Sequence, residues 1–104
     1  MFKWFTIINE KNTRKKKVIY LNGVYIVLIK IGNKFFAIED NCPHQNMPIS
    51  KGKILQKNII CPFHNASFCI ETGIIQNTLS IGNLNSFKVK VKNNKIKIKV
   101  GFAC

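Results

Sequence analysis

Two short pairs of cysteine and histidine are the residues of this chain best suited to chemistry. Cys42 stands two positions before His44, Cys61 stands three positions before His64, and 16 residues separate His44 from Cys61. The chain has 2 histidines, and both belong to these pairs. Each pair offers one thiolate and one imidazole from a turn that contains proline. Two such loops lying side by side would present two sulfur and two nitrogen ligands, so the pattern predicts a metal centre.

Two kinds of metal centre use four ligands of these types. Zinc accepts two thiolates and two imidazoles in a tetrahedron, although finger-type sites usually group Cys with Cys and His with His. A [2Fe-2S] cluster in which two His replace two Cys on one iron takes the same four ligands. The interleaved order favours the iron–sulfur centre, because each loop can then give its Cys to one iron and its His to the other. An incidental role is disfavoured, because the two pairs use every histidine of the chain.

Strand patterns dominate the rest of the chain and predict an all-β fold of small antiparallel sheets, in a sandwich or barrel. Alternation of apolar residues with lysine predicts a hairpin at the C-terminal end, with Asn93 and Asn94 at its turn. Its predicted cross-strand pairs are Val91 with Ile96, Val89 with Ile98, and Phe87 with Val100. Residues 18–21, 24–31 and 34–38, joined by Asn-Gly and Gly-Asn turns, read as a three-stranded meander, and residues 4–8 as a further strand.

The cysteine and histidine pairs lie in a different kind of segment, at about residues 41–77. This segment contains all 3 prolines and reads as loops inserted into the sheet scaffold. No internal repeat or linker divides the chain, so we expect residues 1–104 to form one domain with one core.

With these motifs the chain resembles the Rieske ferredoxins and ferredoxin-like domains of bacteria. The spacing Cys-x-His, about sixteen residues, Cys-x-x-His is the Rieske signature, and the stretches CPHQNMPISKGKI and CPFHNASFCIETG carry the likeness. The resemblance implies a Rieske fold that binds one [2Fe-2S] cluster at a tip. It implies that Cys42 and Cys61 hold the inner iron and that His44 and His64 hold the outer iron.

The resemblance also predicts the type of Rieske protein. Met47 and Phe63 stand where the Rieske proteins of respiratory complexes have a second Cys pair that bridges the loops, so no disulfide is possible there. High-potential members carry a Ser and a Tyr at the positions of Ala66 and Phe68. We therefore expect a low reduction potential, near the lower end of the Rieske range. Gly52 is expected to let the chain turn away from the cluster.

Charge is the unusual feature of the composition. The chain has 17 Lys and Arg against 4 Asp and Glu, for a net charge of +13. Such a surplus is typical of proteins that bind nucleic acid, anionic membranes or acidic partners. Lys far outnumbers the single arginine, Arg14, and Asn and Ile are also abundant, which fits codon bias better than selection for phosphate recognition. We expect an acidic partner protein, with neither nucleic acid nor membrane as a ligand.

The N-terminal segment is apolar before it is basic, the reverse of a signal peptide, and no apolar run approaches the roughly 20 residues that span a bilayer. These features predict a cytoplasmic protein, and we expect a monomer. In a reducing compartment four cysteines favour a metal site over disulfides. Cys69 is predicted to be a small core residue and Cys104 a terminal thiol, both dispensable for the cluster.

The predicted function is that of a one-electron carrier between a reductase and a terminal oxygenase or other oxidoreductase. Catalysis by the chain alone is not expected, because both histidines are already ligands and no G-x-G-x-x-G nucleotide motif is present. One alternative is the small Rieske subunit of a nitrite reductase, which would stay bound to a larger oxidoreductase. The alternative from another class is a zinc-stabilised basic binding module.

Overall fold

The protein is built of ten β-strands and one short 3-10 turn within the part of the chain that is described. A computed structural model of the chain describes residues 2–9, 15–42, 47–62, 66–76 and 82–101. The strands are β1 Phe2–Asn9, β2 Lys16–Leu21, β3 Val24–Ile31, β4 Lys34–Glu39, β5 Lys53–Leu55, β6 Asn58–Ile60, β7 Ser67–Cys69, β8 Ser86–Phe87, β9 Val89–Lys92 and β10 Lys95–Gly101. The 3-10 turn covers Ile49–Lys51.

These strands form three antiparallel sheets. The terminal sheet has the order β1-β10-β9, and the central sheet has the order β2-β3-β4-β8. The third sheet, β5-β6-β7, follows the first cysteine, and Cys61 lies between its strands β6 and β7; we call it the cysteine-loop sheet. The predicted all-β class is therefore confirmed. Among the described ranges there is no helix of the length and apolarity needed to cross a bilayer.

The central sheet is covered on both faces by apolar side chains. Ile26 and Leu28 of β3 pack on one face in a first core, whereas Val27 and Ile29 pack on the other face in a second core. All four residues are 0% exposed. Because successive side chains of a strand point to opposite faces, this continuous apolar run requires a layer on each side of the sheet.

The two layers are the terminal sheet and the segment that carries the cysteines. Ile96, Ile98 and Val100 of β10 complete the first core. Residues that follow the two cysteine loops, such as Ile49 and Phe68, complete the second core. The cysteine segment therefore lies on one side of the central sheet and the terminal sheet on the other.

The predicted strands and turns are largely confirmed. The meander corresponds to β2, β3 and β4, and β1 is the predicted N-terminal strand. Asn22 and Gly23 have φ angles of 50° and 82°, and Asn93 and Asn94 have 53° and 63°. Positive φ at both central residues is the requirement of a type I′ hairpin turn, which explains why these residue types appear there.

One predicted pairing is wrong. Val91 and Val89 pair with Ile96 and Ile98 as expected, but Phe87 pairs with Ala37 of the central sheet instead of Val100. The chain leaves the central sheet at Lys88 and enters the terminal sheet with β9. Phe87 therefore belongs to the central sheet, and its ring packs against the first core from that sheet. Burial between two sheets therefore overrides the register that the alternating pattern suggests.

Gly52 was predicted to let the chain turn, but its backbone does not have a positive φ. Glycine is required at this position because there is no room for a side chain. Its φ is −76°, a value open to any residue. A Cβ atom at this position would stand 2.0 Å from the carbonyl oxygen of Ile60. The segment after the first cysteine loop can therefore press against β6, just before the second cysteine, only because residue 52 has no side chain.

We predict that Gly52→Ala lowers the free energy of unfolding by about 1–3 kcal/mol, because the methyl group would collide with backbone that cannot move away cheaply. Gly32→Asn is the control. Gly32 has a φ of +61° and no atom within 4 Å of an added Cβ. Asn tolerates this φ, so the control should cost about 0.5 kcal/mol or less. Urea denaturation measures both variants, and equal costs would contradict the close-approach explanation.

Candidate metal centre

The first cysteine loop begins directly after β4 and is closed by a backbone hydrogen bond. The Cys42 N–H donates to the Met47 carbonyl oxygen at 2.7 Å, and the two residues form an isolated antiparallel bridge. Pro48 follows with a φ of −67°, the value that its ring imposes, and leads into the 3-10 turn. His44 lies outside the described residues.

The second cysteine loop repeats this closure. Cys61 follows β6, and its N–H donates to the carbonyl oxygen of Ala66 at 2.8 Å, immediately before β7. In both loops the cysteine N–H reaches the carbonyl of the fifth residue onward. The second histidine, His64, lies outside the described residues, as His44 does. The two motifs that look alike in sequence therefore close in the same way.

Both predicted cysteine ligands are buried in the second core. Cys42 and Cys61 are each 0% exposed and belong to one cluster with Ile49, Ala66 and Phe68. A thiolate in apolar surroundings needs a positive partner nearby, because burying an uncompensated charge is costly. Metal ions at this place would be such a partner. The donor set that the described residues provide therefore fits a thiolate-held metal group.

The part of the chain that the structure describes contains no group of three or more His, Cys, Asp or Glu residues that could hold a metal ion. Of the four predicted ligands, the structure brings Cys42 and Cys61 into the same buried cluster. The other two, His44 and His64, are not covered by the description.

Asp40 is a residue of this site that sequence reasoning missed. It is 8% exposed, and its Oδ1 and Oδ2 atoms accept hydrogen bonds from the Ser50 N–H at 2.6 Å and the Ser50 hydroxyl at 2.9 Å. Its own N–H donates to the Tyr25 carbonyl oxygen at 2.8 Å. The carboxylate thus ties the two ends of the first cysteine loop together, and the Asp40 backbone N–H attaches them to β3. Asp and Ser often form hydrogen bonds to nearby backbone groups at the ends of strands and at turns. An Asp at the end of a predicted strand was therefore the sequence feature that could have indicated this contact.

A second contact fixes the same loop to the central sheet. The Lys16 Nζ donates to the Gly52 carbonyl oxygen at 3.0 Å, which joins β2 to the segment just after the 3-10 turn. The first cysteine loop is therefore attached to the central sheet at its beginning, through Asp40, and at its end, through Gly52.

Comparison with known proteins agrees with this geometry. Residues 3–88 match the family model of the Rieske [2Fe-2S] domain. The chain belongs to the Rieske [2Fe-2S] domain family. Its cofactor is accordingly a Rieske [2Fe-2S] cluster, and the two buried cysteines are residues of the kind that such a cluster requires.

Two kinds of protein are among the relatives of this Rieske chain. It is 37% identical over 76 residues to the 3-phenylpropionate/cinnamic acid dioxygenase ferredoxin subunit of Photorhabdus laumondii, an alignment that covers 72% of each chain. It is 32% identical over 92 residues to apoptosis-inducing factor 3 of Mus musculus, covering 88% of this chain. The chain spans only 15% of the length of that protein.

Solved structures show the same fold. The ferredoxin of carbazole 1,9a-dioxygenase from Nocardioides aromaticivorans IC177 superposes with a TM-score of 0.84 at 17% identity, covering 91% of this chain and 95% of that one. A complex of reduced oxygenase and oxidised ferredoxin in carbazole 1,9a-dioxygenase contains a chain that matches with a TM-score of 0.83 at 24% identity, covering 91% of each.

Two residues beside the cysteines are relevant to the reduction potential of the Rieske centre. Ala66 and Phe68 are both 0% exposed and share the second core with Cys42 and Cys61. Neither side chain has a hydroxyl, so neither can donate a hydrogen bond to a sulfur atom. Such bonds stabilise the reduced, more negative state, and their absence lowers the potential.

Cys69 is not the core residue that its strand position suggested. It ends β7 and is half-buried, and its N–H donates to the Ile74 carbonyl oxygen at 2.9 Å. The Thr72 hydroxyl is the main cause that lowers the pKa of the Cys69 thiol below its usual value, with help from the backbone of Thr72 and Glu71. Cys69 faces the turn at residues 70–73, which explains why it lies outside the apolar cluster that buries the other two cysteines. Cys104 lies outside the described residues.

We predict that loosening the Asp40–Ser50 contact speeds loss of the cluster. Ser50→Ala removes the hydroxyl donor at a cost of about 1 kcal/mol, and Asp40→Ala costs about 1–3 kcal/mol because the Ser50 N–H also loses its acceptor. Bleaching of the visible absorbance in the presence of a chelator should be about fivefold faster in Ser50→Ala and faster still in Asp40→Ala. Ser86→Ala, which removes an exposed hydroxyl from β8, is the matched control. Unchanged bleaching in both test variants would contradict the role of this contact.

We predict a reduction potential of about −150 mV, the lower end of the Rieske range. Restoring one donor with Ala66→Ser or Phe68→Tyr should raise it by about 60–130 mV each, since a hydrogen bond to a charged group contributes about 1.5–3 kcal/mol. Phe68→Leu changes the packing without adding a donor and should shift the potential much less. Protein-film voltammetry gives the values, and a native potential above about +100 mV would show that the argument is wrong.

Proposed function

We propose that this chain is a one-electron carrier that accepts an electron from a reductase and delivers it to a terminal oxygenase. The observation that supports this most directly is the burial of Cys42 and Cys61 in one cluster, each at the start of an equivalently closed loop. The ferredoxin-subunit relative of Photorhabdus laumondii, which the chain matches over 72% of its length, supports the role of a carrier. The bound cluster supplies reversible one-electron chemistry.

We propose Cys42, His44, Cys61 and His64 as the four ligands. Cys42 and Cys61 would hold the inner iron, because both lie at the buried base of their loops. His44 and His64 stand between the hydrogen-bonded ends of those loops in sequence, two and three positions past the cysteines. They would hold the outer iron, from which the electron passes to a docked partner. The surrounding apolar side chains keep water from the thiolates.

Residues 1–104 would act as one domain that carries the electron without catalysing a reaction of its own. A monomeric chain in the cytoplasm remains the prediction from sequence. The partner surface is proposed to be acidic overall, because the chain carries a net charge of +13. Exposed Lys51, Lys53 and Lys57 lie in and beside the cysteine-loop sheet. Electron-transfer contacts are typically small and transient, and opposite charge raises their association rate.

The experiment that tests this proposal has two stages. In the first, the purified protein should take up one electron per chain and give a Rieske-type spectrum on reduction. His44→Ala, His64→Ala, Cys42→Ser and Cys61→Ser should each lose the cluster or its spectrum, whereas Cys69→Ser, the matched cysteine control, should keep both. Colourless protein that holds one zinc ion per chain would overturn the proposal in favour of a zinc module.

In the second stage, the chain replaces the ferredoxin subunit in an assay with the other components of the Photorhabdus laumondii 3-phenylpropionate/cinnamic acid dioxygenase. The cluster-loaded form should support turnover, at a rate that falls as salt screens the lysines, and His64→Ala should support none. Co-purification with a larger oxidoreductase at high salt would show a fixed subunit, as in the nitrite reductase alternative. A cluster that is reduced chemically but exchanges no electron with these components, while the native ferredoxin does, would contradict the carrier role proposed here.

A further inference from the structure

The face of the terminal sheet that points away from the central sheet is strongly basic. The apolar residues of β10 pack against the central sheet, so the lysines that alternate with them lie on the other face. The register places β9 lysines and a tryptophan there too, because Lys97 pairs with Lys90 and Trp4 pairs with Lys99. We call this surface the lysine face. It includes Trp4, Lys88, Lys90, Lys92, Lys95, Lys97 and Lys99.

Lysines stand directly opposite one another across this face. Three cross-strand rows each contain two lysines, namely Lys95 with Lys92, Lys97 with Lys90, and Lys99 with Lys88. Directly opposed like charges destabilise a strand pair. Lysines on an edge strand discourage strand addition, but β10 is the middle strand of its sheet and needs no such protection. An anionic ligand that neutralised these rows would therefore stabilise the sheet.

Carboxylates do little to neutralise the lysine face within the described ranges. Three acidic residues lie in those ranges, and the carboxylates of Glu39 and Asp40 accept hydrogen bonds from residues outside this face. The third, Glu71, lines a groove together with Trp4 and Lys88. Among the described residues, at most one carboxylate thus offsets the charge of six lysines.

The lysine face is turned away from the buried cysteines. The terminal sheet and the cysteine segment lie on opposite sides of the central sheet, and Cys42 and Cys61 belong to the core on the far side. A redox partner bound to the lysine face would have the central sheet between itself and the thiolates. The face is therefore suited to a ligand that holds the protein without exchanging electrons, and such a ligand leaves the cysteine loops uncovered.

The residue types of the lysine face discriminate between the polyanions that could neutralise it. Its cations are all Lys, which acts as a point charge, whereas Arg is favoured where individual phosphates are recognised by paired hydrogen bonds. The Lys90 Nζ lies 4.4 Å from the centroid of the Trp4 ring, over a ring face on which a nucleic acid base would otherwise stack. A half-buried Trp, with an apolar ring and a polar N–H, is typical of the headgroup level of a membrane. Charge and residue type together favour an anionic bilayer.

We propose that the lysine face binds the surface of an anionic phospholipid membrane. The ammonium groups would meet the anionic headgroups, and Trp4 would lie at the level of those headgroups. The charge surplus alone did not indicate a membrane, because composition does not show where the lysines lie, whereas the strand register gathers six of them on one face. The protein would lie on the membrane with its cysteine loops directed away from it. Binding of this kind does not depend on the carrier function proposed above.

The first test measures cosedimentation of the cluster-loaded protein with phosphatidylcholine vesicles that contain either no phosphatidylserine or about 30% of it. Binding should require phosphatidylserine and should weaken as salt is added. The lysine-face variant replaces three exposed residues, Lys88→Gln, Lys92→Gln and Lys95→Gln. It should bind about 100-fold more weakly, because each lysine near such a surface contributes about fivefold.

The matched control removes three exposed lysines from the cysteine segment, with Lys51→Gln, Lys53→Gln and Lys57→Gln. Both triple variants lose the same charge, and both should keep the cluster spectrum. The control should bind less than about fivefold more weakly than the wild type, because its lysines are directed away from the membrane. Equal losses in the two variants would mean that net charge alone drives binding, and would overturn the proposal.

The second test uses the fluorescence of Trp4, which is the single tryptophan of the chain and therefore reports on the lysine face. On binding to the anionic vesicles its emission should move to shorter wavelength and should be quenched by brominated phospholipids. The control variant should show both changes, and the lysine-face variant should show neither at the same lipid concentration. Vesicle-bound protein with unchanged Trp4 fluorescence would show that another surface binds, and would overturn the proposal.

Other occupants of the lysine face give different results. If the face receives an acidic redox partner, the lysine-face variant will need a higher concentration for half-maximal electron transfer in the dioxygenase assay. If it receives nucleic acid, a single-stranded oligothymidylate will bind through the same three lysines. In neither case would the vesicles bind, and either result overturns the proposal. Vesicle binding through the lysine face without electron transfer would leave the proposal standing and overturn only the carrier function.

Discussion

The double-sided burial of β3 is the constraint on which the rest of the structure depends. Ile26 and Leu28 need one apolar layer and Val27 and Ile29 need another, so the central sheet cannot exist without partners on both faces. The terminal sheet supplies the first layer. The cysteine segment supplies the second, so the loops that carry the ligands are themselves part of a core. Their position is therefore fixed by the same burial that stabilises the fold.

This arrangement explains how a loop-rich segment can hold its cysteines in a defined place. Each loop is closed by one backbone hydrogen bond from its cysteine, and its base is packed into the second core. The first loop also has the Asp40–Ser50 contact and the Lys16 bond to Gly52. Closure, burial and attachment act on different parts of the segment, which limits the freedom of the thiols without a disulfide between the loops.

The layered arrangement also determines where the lysines of β10 lie. In β10 the residues Ile96, Ile98 and Val100 turn towards the central sheet, so the lysines that alternate with them turn away from it. These lysines belong to the layer on the opposite side of the central sheet from the cysteines. Lys51, Lys53 and Lys57, in contrast, are exposed residues of the cysteine segment.

The sequence by itself determined the chemistry and the local structure. The two Cys and His pairs predicted a metal centre, and their resemblance to the Rieske signature predicted its type. The Asn-Gly and Asn-Asn turns predicted the hairpins, because positive φ depends on the residues at the turn itself. Only the tertiary structure decided which sheet each strand joins, where Phe87 goes, why residue 52 is Gly, and that Cys69 lies outside the core. It also placed Asp40 against Ser50 and left Val18, Tyr20 and Tyr25 exposed on the central sheet. These features depend on which surfaces meet across the layers, and no pattern of neighbouring residues records that.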